Sequence, residues 1–248
     1  MNQTGNPGYW GRLAAMLAPG GFVYRNAHYL VADMELDARA AQKWVPRPLR
    51  LASPAMASIF TAYFPSNTFG SVYCEAGLFL HVEHGRTRAV FSPWMLVDDD
   101  VALILGRELL GYPKKLGNIR FQIDGDRICG VAERRGAELL RMEGVLGAAV
   151  VDAPPMLGRP HRNVRSSLGL ALPKLLAFTP REQLIEVRRA ELTVKVGGSE
   201  RDPLAELGFG AVKSSYLYRV NLAARGLPLP VSRVSPLWFL RQLLLRTH

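Results

Sequence analysis

Two adjacent lysines, Lys114 and Lys115, stand directly after Pro113 in the stretch Gly106-Arg-Glu-Leu-Leu-Gly-Tyr-Pro-Lys-Lys-Leu-Gly117. A lysine amine is a nucleophile only without its proton, and an exposed lysine titrates near ~10.4. Burial in an apolar pocket disfavours the charged form and can bring the value down to about 5–6, and a second cation nearby pushes the same way. A neutral lysine attacks a ketone to form an iminium, which accepts the electrons of a bond breaking beside it. A bare Lys-Lys pair is also a common solvated surface pair, so the elements around it must decide.

Those elements favour presentation. Asp98-Asp99-Asp100 followed by Val101, Ile104, Leu105 and Leu109 predicts a helix with acidic residues at its positive end and one buried apolar stripe. Gly111 suits a left-handed residue past the helix end, and Pro113 biases Tyr112 towards extended backbone. Lys114 and Lys115 therefore leave the helix in an extended chain, their side chains on opposite faces. One faces an interior; the other faces solvent or an ion-pair partner. A second chemical candidate is Glu75, an acid among Val72, Tyr73, Cys74, Ala76 and Leu78. Such an acid must be paired or protonated, and a structural ion pair with an arginine would also account for it.

The string Gly-Arg-Glu-Leu-X-X-Tyr-Pro-Lys-Lys-Leu-Gly resembles the signature of the acetoacetate decarboxylase family. Asn26-Ala-His-Tyr29 with Asp37 to Pro48 resembles a strand, short helix and turn near that family's N-terminus, and Tyr73-Cys-Glu-Ala-Gly77 resembles its glutamate-bearing segment. The similarity runs from about residue 22 to residue 145. The resemblance implies a Schiff base on Lys114, a pKa-modulating cation at Lys115, an active-site acid at Glu75, and activation of the lysine by desolvation or a neighbouring cation. It also implies a cone-shaped, barrel-like β core. Two positions depart from the family. Ala27 stands where the family has an arginine, and Phe60 falls where it has a second glutamate. Phe60, Tyr112 and Arg25, the last expected on the same strand face as Ala27, are taken as substrate-binding residues. The replacements make the pocket less polar, from which poor use of acetoacetate and preference for a bulkier, more apolar keto substrate are expected.

Composition bounds the rest. The 248 residues suit one large domain, or at most two, and are 48% hydrophobic, too apolar for disorder. Thirty-one Lys and Arg against 21 acidic residues give a net charge of +10, which permits attraction to anions. The densest arginine group, Arg159 to Arg165, lacks interleaved aromatics, so no nucleic-acid partner is expected. Cys74 and Cys129 read as free thiols of a cytoplasmic protein. No signal peptide and no membrane-spanning run are read, so no stable membrane insertion is expected. Histidines 28, 81, 84, 161 and 248 have no ligand spacing, and no Gly-X-Ser-X-Gly elbow or dinucleotide fingerprint occurs. No metal and no cofactor are expected.

Along the chain, residues 1–21 form an entry arm, residues 22–226 the main domain, and residues 227–248 an extended linker and an amphipathic helix. Strands are expected over Phe22–Leu36, Met56–Phe64, Val72–Glu83, Arg88–Val97, Ile119–Ile123, Ile128–Ala132, Leu139–Val145, Leu168–Leu176, Leu184–Arg188 and Ala190–Val196. A helix capped by Asp37, an irregular flap or connector at Ala149–Asn163 and a helix within Leu204–Leu222 complete the map. The loop-like Gly208–Ser214 lacks a phosphate-loop core and is set aside. Short turns between successive strands predict an α+β chain, mainly antiparallel β, with a curled barrel-like core and a few flanking helices. Its function would be that of a cofactor-free lysine-iminium enzyme for a small keto acid, decarboxylation first. The alternatives are aldol-type condensation or dehydration on the same iminium, and a non-catalytic small-molecule binder. The apolar arm and the C-terminal helix predict a homo-oligomer.

Overall fold

The computed structural model describes residues 21–167, 172–224 and 228–247. Nearly all of the expected entry arm lies outside the described residues. The first half of the chain contributes β1 (Phe22–Leu36), α1 (Ala38–Gln42), β2 (Arg50–Leu51), β3 (Met56–Phe64), β4 (Ser66–Asn67), β5 (Tyr73–His84), β6 (Thr87–Val97), α2 (Asp100–Glu108) and β7 (Lys114–Leu116). The meander β8 (Asn118–Asp124), β9 (Arg127–Arg134) and β10 (Ala137–Ala149) follows. The remainder is β11 (His161–Ser167), β12 (Leu172–Phe178), β13 (Arg181–Val196), β14 (Phe209–Ala224), β15 (Leu229–Arg233) and α3 (Pro236–Thr247).

All fifteen strands belong to one sheet. Its main path runs β15-β12-β11-β6-β5-β3-β1-β14-β13-β10-β9-β8, with β2 on β5, β4 on β1 and β7 on β6. Pairing is antiparallel except at β11–β6 and β6–β7. The sheet curls without its ends pairing, so the barrel-like expectation holds as curvature and not as closure. The curl brings β9 across β3: a Cβ on Gly130 would lie 2.0 Å from Thr61 Oγ1, so only glycine admits the crossing.

The central strands are apolar on both faces because both faces are covered. On one face, Leu30 and Ala32 of β1, Ile59 of β3 and Leu78 and Leu80 of β5 pack with Ile128 and Ala132 of β9. On the other, Tyr29 and Val31, Phe60 and Ala62, and Tyr73 and Phe79 join Val220 and Leu222 of β14. This second core is the one that contains the cavity described below.

Three expectations need correction. The segment Leu204–Leu222 is not mainly helical. A single 3-10 turn, Leu204–Leu207, stops at Gly208 (φ 65°), and the chain then runs as β14, hydrogen-bonded on both sides to β1 and β13. Its Tyr, Leu and Val residues also fit a helical period, but β-rich composition and two-sided pairing decide. The two strands expected at Leu184–Val196 are one, β13, and the expected linker at Leu229 adds an edge strand to β12. The helix α2 forms as expected, capped by Asp99, whose carboxylate accepts from the Ala102 N–H at 2.7 Å. It buries Ala102 and Gly106, however, and leaves Val101 and Ile104 exposed. Gly106 is small there because the Lys114 side chain lies against it.

Candidate active site

Gly111 takes φ 69° and ends the turn after α2, where a Cβ would approach the Val164 carbonyl to 3.2 Å. Pro113 then sends the chain into β7, whose three residues pair in parallel with Met95, Leu96 and Val97 of β6. Alternation places Lys114 on the cavity face and Lys115 on the opposite one.

Lys114 Nζ donates to Glu75 Oε2 at 2.6 Å, with side-chain exposures of 6% and 7%. Glu75 reaches it from β5, where Tyr73, Glu75, Gly77 and Phe79 share one face. The amine lies 5.7 Å from the Tyr73 ring centre and 6.0 Å from that of Tyr112, within range of cation–π attraction when charged. Gly106 of α2 provides the passage: a Cβ there would sit 2.6 Å from Lys114 Cε and 3.1 Å from Nζ. A lysine threaded past a helical glycine has few rotamers left.

The pair opens onto a cavity of about 60 Å³. At roughly 10–15 Å³ per water, that is room for a few solvent molecules or a small organic acid. Its wall includes Tyr24, Tyr29, Phe64, Tyr73, Phe79 and Tyr112. Lys114 is the sole cation and Glu75 the sole anion among the described lining residues. Burial first, and the Glu75 charge second, push the phenols of Tyr24, Tyr29 and Tyr112 up from their ordinary range. Tyr73 is raised too, chiefly by burial. All four therefore act as neutral hydrogen-bonding groups. The volume runs against the expected bulkier substrate.

Tyr112 is held by a buried histidine. Its hydroxyl lies 3.1 Å from His161 Nδ1, and His161 Nε2 lies 3.3 Å from the Leu157 carbonyl. A carbonyl only accepts, so Nε2 carries the hydrogen and Tyr112 donates to Nδ1. Burial pushes the His161 imidazole down to about 3, which keeps it neutral. The Phe178 ring stacks on it at 5.1 Å.

Lys115 is buried in a different setting. Its amine pairs with Asp202 Oδ1, whose other oxygen accepts from Arg134 Nη1 at 3.0 Å, while Trp94 Nε1 donates to Oδ1 at 3.0 Å. Desolvation pushes the Lys115 amine down, Asp202 opposes this, and Arg134 adds to it.

The other expected residues lie outside the cavity. Phe60 is fully buried and stacks on Phe79 at 5.2 Å, one ring behind the wall. Arg25 is exposed, paired with Ser66 of β4. Asn26 adopts φ 52° in a bulge, so the alternation that would place Arg25 beside Ala27 is broken there and Ala27 alone turns inward. Tyr24, Leu157, Phe178 and Asp202 carry no local sequence signal, whereas Tyr29 and Tyr73 stand within the family-like segments.

Comparison with known proteins agrees with this geometry. Residues 8–229 match the family model for acetoacetate decarboxylase, and the chain belongs to the acetoacetate decarboxylase family. The acetoacetate decarboxylase of Chromobacterium violaceum is 32% identical over 112 residues, which is 45% of this chain and 45% of that relative. The alignment thus spans about half the length of the curated relatives it matches. In fold, the chain is similar to the crystal structure of acetoacetate decarboxylase from Legionella pneumophila, with a TM-score of 0.76, 15% identity and coverage of 86% and 87% of the two chains. It is equally similar to the enduracididine biosynthesis enzyme MppR complexed with the condensation product of pyruvate and imidazole 4-carboxaldehyde (TM-score 0.77, 17% identity, 93% and 99% coverage). Among the described residues no helix is long and apolar enough to cross a membrane, and no cluster of side chains could hold a metal ion.

Proposed function

We propose that this chain is a cofactor-free Schiff-base enzyme for a small keto acid, with decarboxylation of a β-keto acid as its reaction. The observation that carries this is the buried Lys114–Glu75 pair, 2.6 Å apart on the wall of a small tyrosine-lined cavity. The Lys114 ammonium first gives one proton to Glu75, and the freed Nζ adds to the ketone carbon while a second proton passes from nitrogen to the carbonyl oxygen. Glu75 then gives its proton to the resulting hydroxyl, and loss of water leaves an iminium. The electrons of the bond to the carboxylate then flow to the iminium nitrogen, carbon dioxide leaves, and an enamine remains. Protonation on carbon and hydrolysis release the ketone and restore the amine. A carboxylate held in a weakly solvating cavity loses its charge as carbon dioxide forms, so the surroundings favour the later geometry.

In this reading Tyr112 positions the substrate, and Phe60 acts only by supporting Phe79. Arg25 adds positive potential outside the cavity without touching the substrate. Lys115, held with Arg134 on Asp202, anchors β7 from the opposite face of the strand. Exposed Val101 and Ile104 on α2, and Leu237 and Leu240 on α3, suit association of copies. The free thiols Cys74 and Cys129 suit a cytoplasmic setting.

A second reading, aldol-type condensation on the same iminium, is favoured by one observation. With Lys114 as the sole described lining cation, no separate cation is set to grip a carboxylate that must leave. Following short β-keto acids, and pyruvate with an aldehyde, by nuclear magnetic resonance separates the two. Carbon dioxide and a methyl ketone are the expected products. A condensation product without carbon dioxide release would move the assignment to the second reaction, and neither product would refute both.

A further inference from the structure

Resting on the Schiff-base reading of Lys114, we infer that Leu157 is a specificity-determining residue, fixed against the cavity by a carboxylate clasp on Glu182, and that it limits the length of the ketone substrate's chain.

The segment between β10 and His161 has no regular secondary structure, yet it is pinned at several points. The Glu182 carboxylate accepts from three successive backbone N–H groups: Met156 at 3.1 Å, Leu157 at a shorter distance, and Gly158 at 2.6 Å. Charge-assisted bonds of this kind are about twice as strong as neutral ones. From the other side, His161 Nε2–H donates to the Leu157 carbonyl, so both backbone polar groups of Leu157 are held. Arg159 Nε donates to the Met156 carbonyl at 2.9 Å, and the Tyr218 hydroxyl donates to the Pro154 carbonyl at 3.1 Å. Gly158 lies close to the clasp: a Cβ there would approach Glu182 Cβ to 3.1 Å.

What the clasp presents is one apolar side chain. Leu157 is 7% exposed and lines the cavity that Lys114 and Glu75 open onto. A volume of about 60 Å³ leaves little space past the amine, so a chain extending from the carbonyl carbon meets the Leu157 methyls. His161 has a double part, because the same ring that holds Leu157 orients Tyr112. Glu182 and His161 touch neither amine nor substrate; they are positioning residues.

The test is borohydride trapping with methyl ketones of rising length: acetone, 2-pentanone and 2-heptanone. Adducts on the full-length protein are counted by peptide mass spectrometry. In Leu157→Ala the trapping of 2-heptanone relative to acetone should rise about tenfold, the discrimination a few methylenes give. Glu182→Gln, which loses acceptor capacity, should shift the same ratio the same way by less. An unchanged ratio in folded Leu157→Ala, with wild-type adducts on Lys114, overturns the inference and leaves the Schiff-base reading intact. No adduct with any ketone in either protein overturns both. Should Glu182→Gln fail to fold, Leu157→Ala decides.

Discussion

Lys114 and Lys115 are adjacent, both buried on one three-residue strand, and they live in opposite chemistry. Lys114 meets one carboxylate at the edge of a cavity and is otherwise surrounded by aromatic rings. Lys115 is locked to Asp202, which is itself saturated by Arg134 and the Trp94 indole. One amine faces an aromatic-lined cavity beside a single carboxylate, and the other is tied into an ion cluster on the opposite side of the strand. Residue type does not distinguish them. The two-residue period of β7, fixed by pairing with β6, does.

The largest break in this comparison is replacement of each lysine in turn. Lys114→Met should reduce turnover at least about a thousandfold, because the accelerations of 10⁶ or more typical of enzymes would here rest on the covalent route. The fold should persist. Lys115→Met should do the reverse. Removing one partner of a buried ion cluster costs about 3–5 kcal/mol, and the lower end is expected because Arg134 still pairs Asp202. Denaturant unfolding with a keto acid turnover assay separates the outcomes. Equal loss of activity at equal folded fraction would erase the distinction drawn between the two amines.

Gly106→Ala sharpens it next. The new methyl must displace the Lys114 stem from 2.6 Å, while alanine favours the helix by up to about 1 kcal/mol. Turnover should fall about a hundredfold, as small misplacements of a reacting group do, with little change in melting temperature. A variant that loses stability and keeps activity would contradict the threading of Lys114 past α2.

A smaller effect concerns pH. His161 and His81 are pushed down to about 3 and about 4 by burial, against 6.5 in the unfolded chain. Between those values the unfolded chain binds the proton and the folded chain does not. Stability is therefore full above pH 6.5 and falls as pH drops, by at most about 1.4 kcal/mol per pH unit for each histidine. Melting temperatures from pH 7 to pH 4 should decline accordingly, and less steeply in a His81→Asn variant. A flat profile would contradict the buried neutral imidazoles.

The smallest expectation is assembly. Light scattering should give a particle heavier than the 27.4 kDa chain, with the exposed α2 and α3 faces covered. A particle of 27.4 kDa at micromolar concentration would remove that proposal without touching the site.

Much of this was legible in the sequence, for physical reasons. Alternation and turn residues placed β1, β3 and the β5–β6 hairpin nearly to the residue, and Asp99, Gly111 and Pro113 framed the approach to Lys114. The opposite facing of the two lysines followed from one proline. What failed depended on distant partners. Asp202 lies 87 residues from Lys115, and nothing local links them. The bulge at Asn26 reversed the expected side of Arg25, because a single left-handed residue shifts the period. The helical period given to Leu204–Leu222 lost to pairing on both edges. Leu157 stood in a proline-rich connector whose order comes from Glu182, a residue with no sequence mark of its own.

The central claim, that Lys114 and not Lys115 is the reacting amine, is tested most directly by reductive trapping. The wild-type protein is incubated with a short keto acid and borohydride, then digested and analysed by tandem mass spectrometry across Tyr112–Leu116. The predicted result is one reduced adduct on Lys114, abolished in Lys114→Met and retained in Lys115→Met. An adduct on Lys115 in the wild-type protein, or none with any keto acid, would contradict the account.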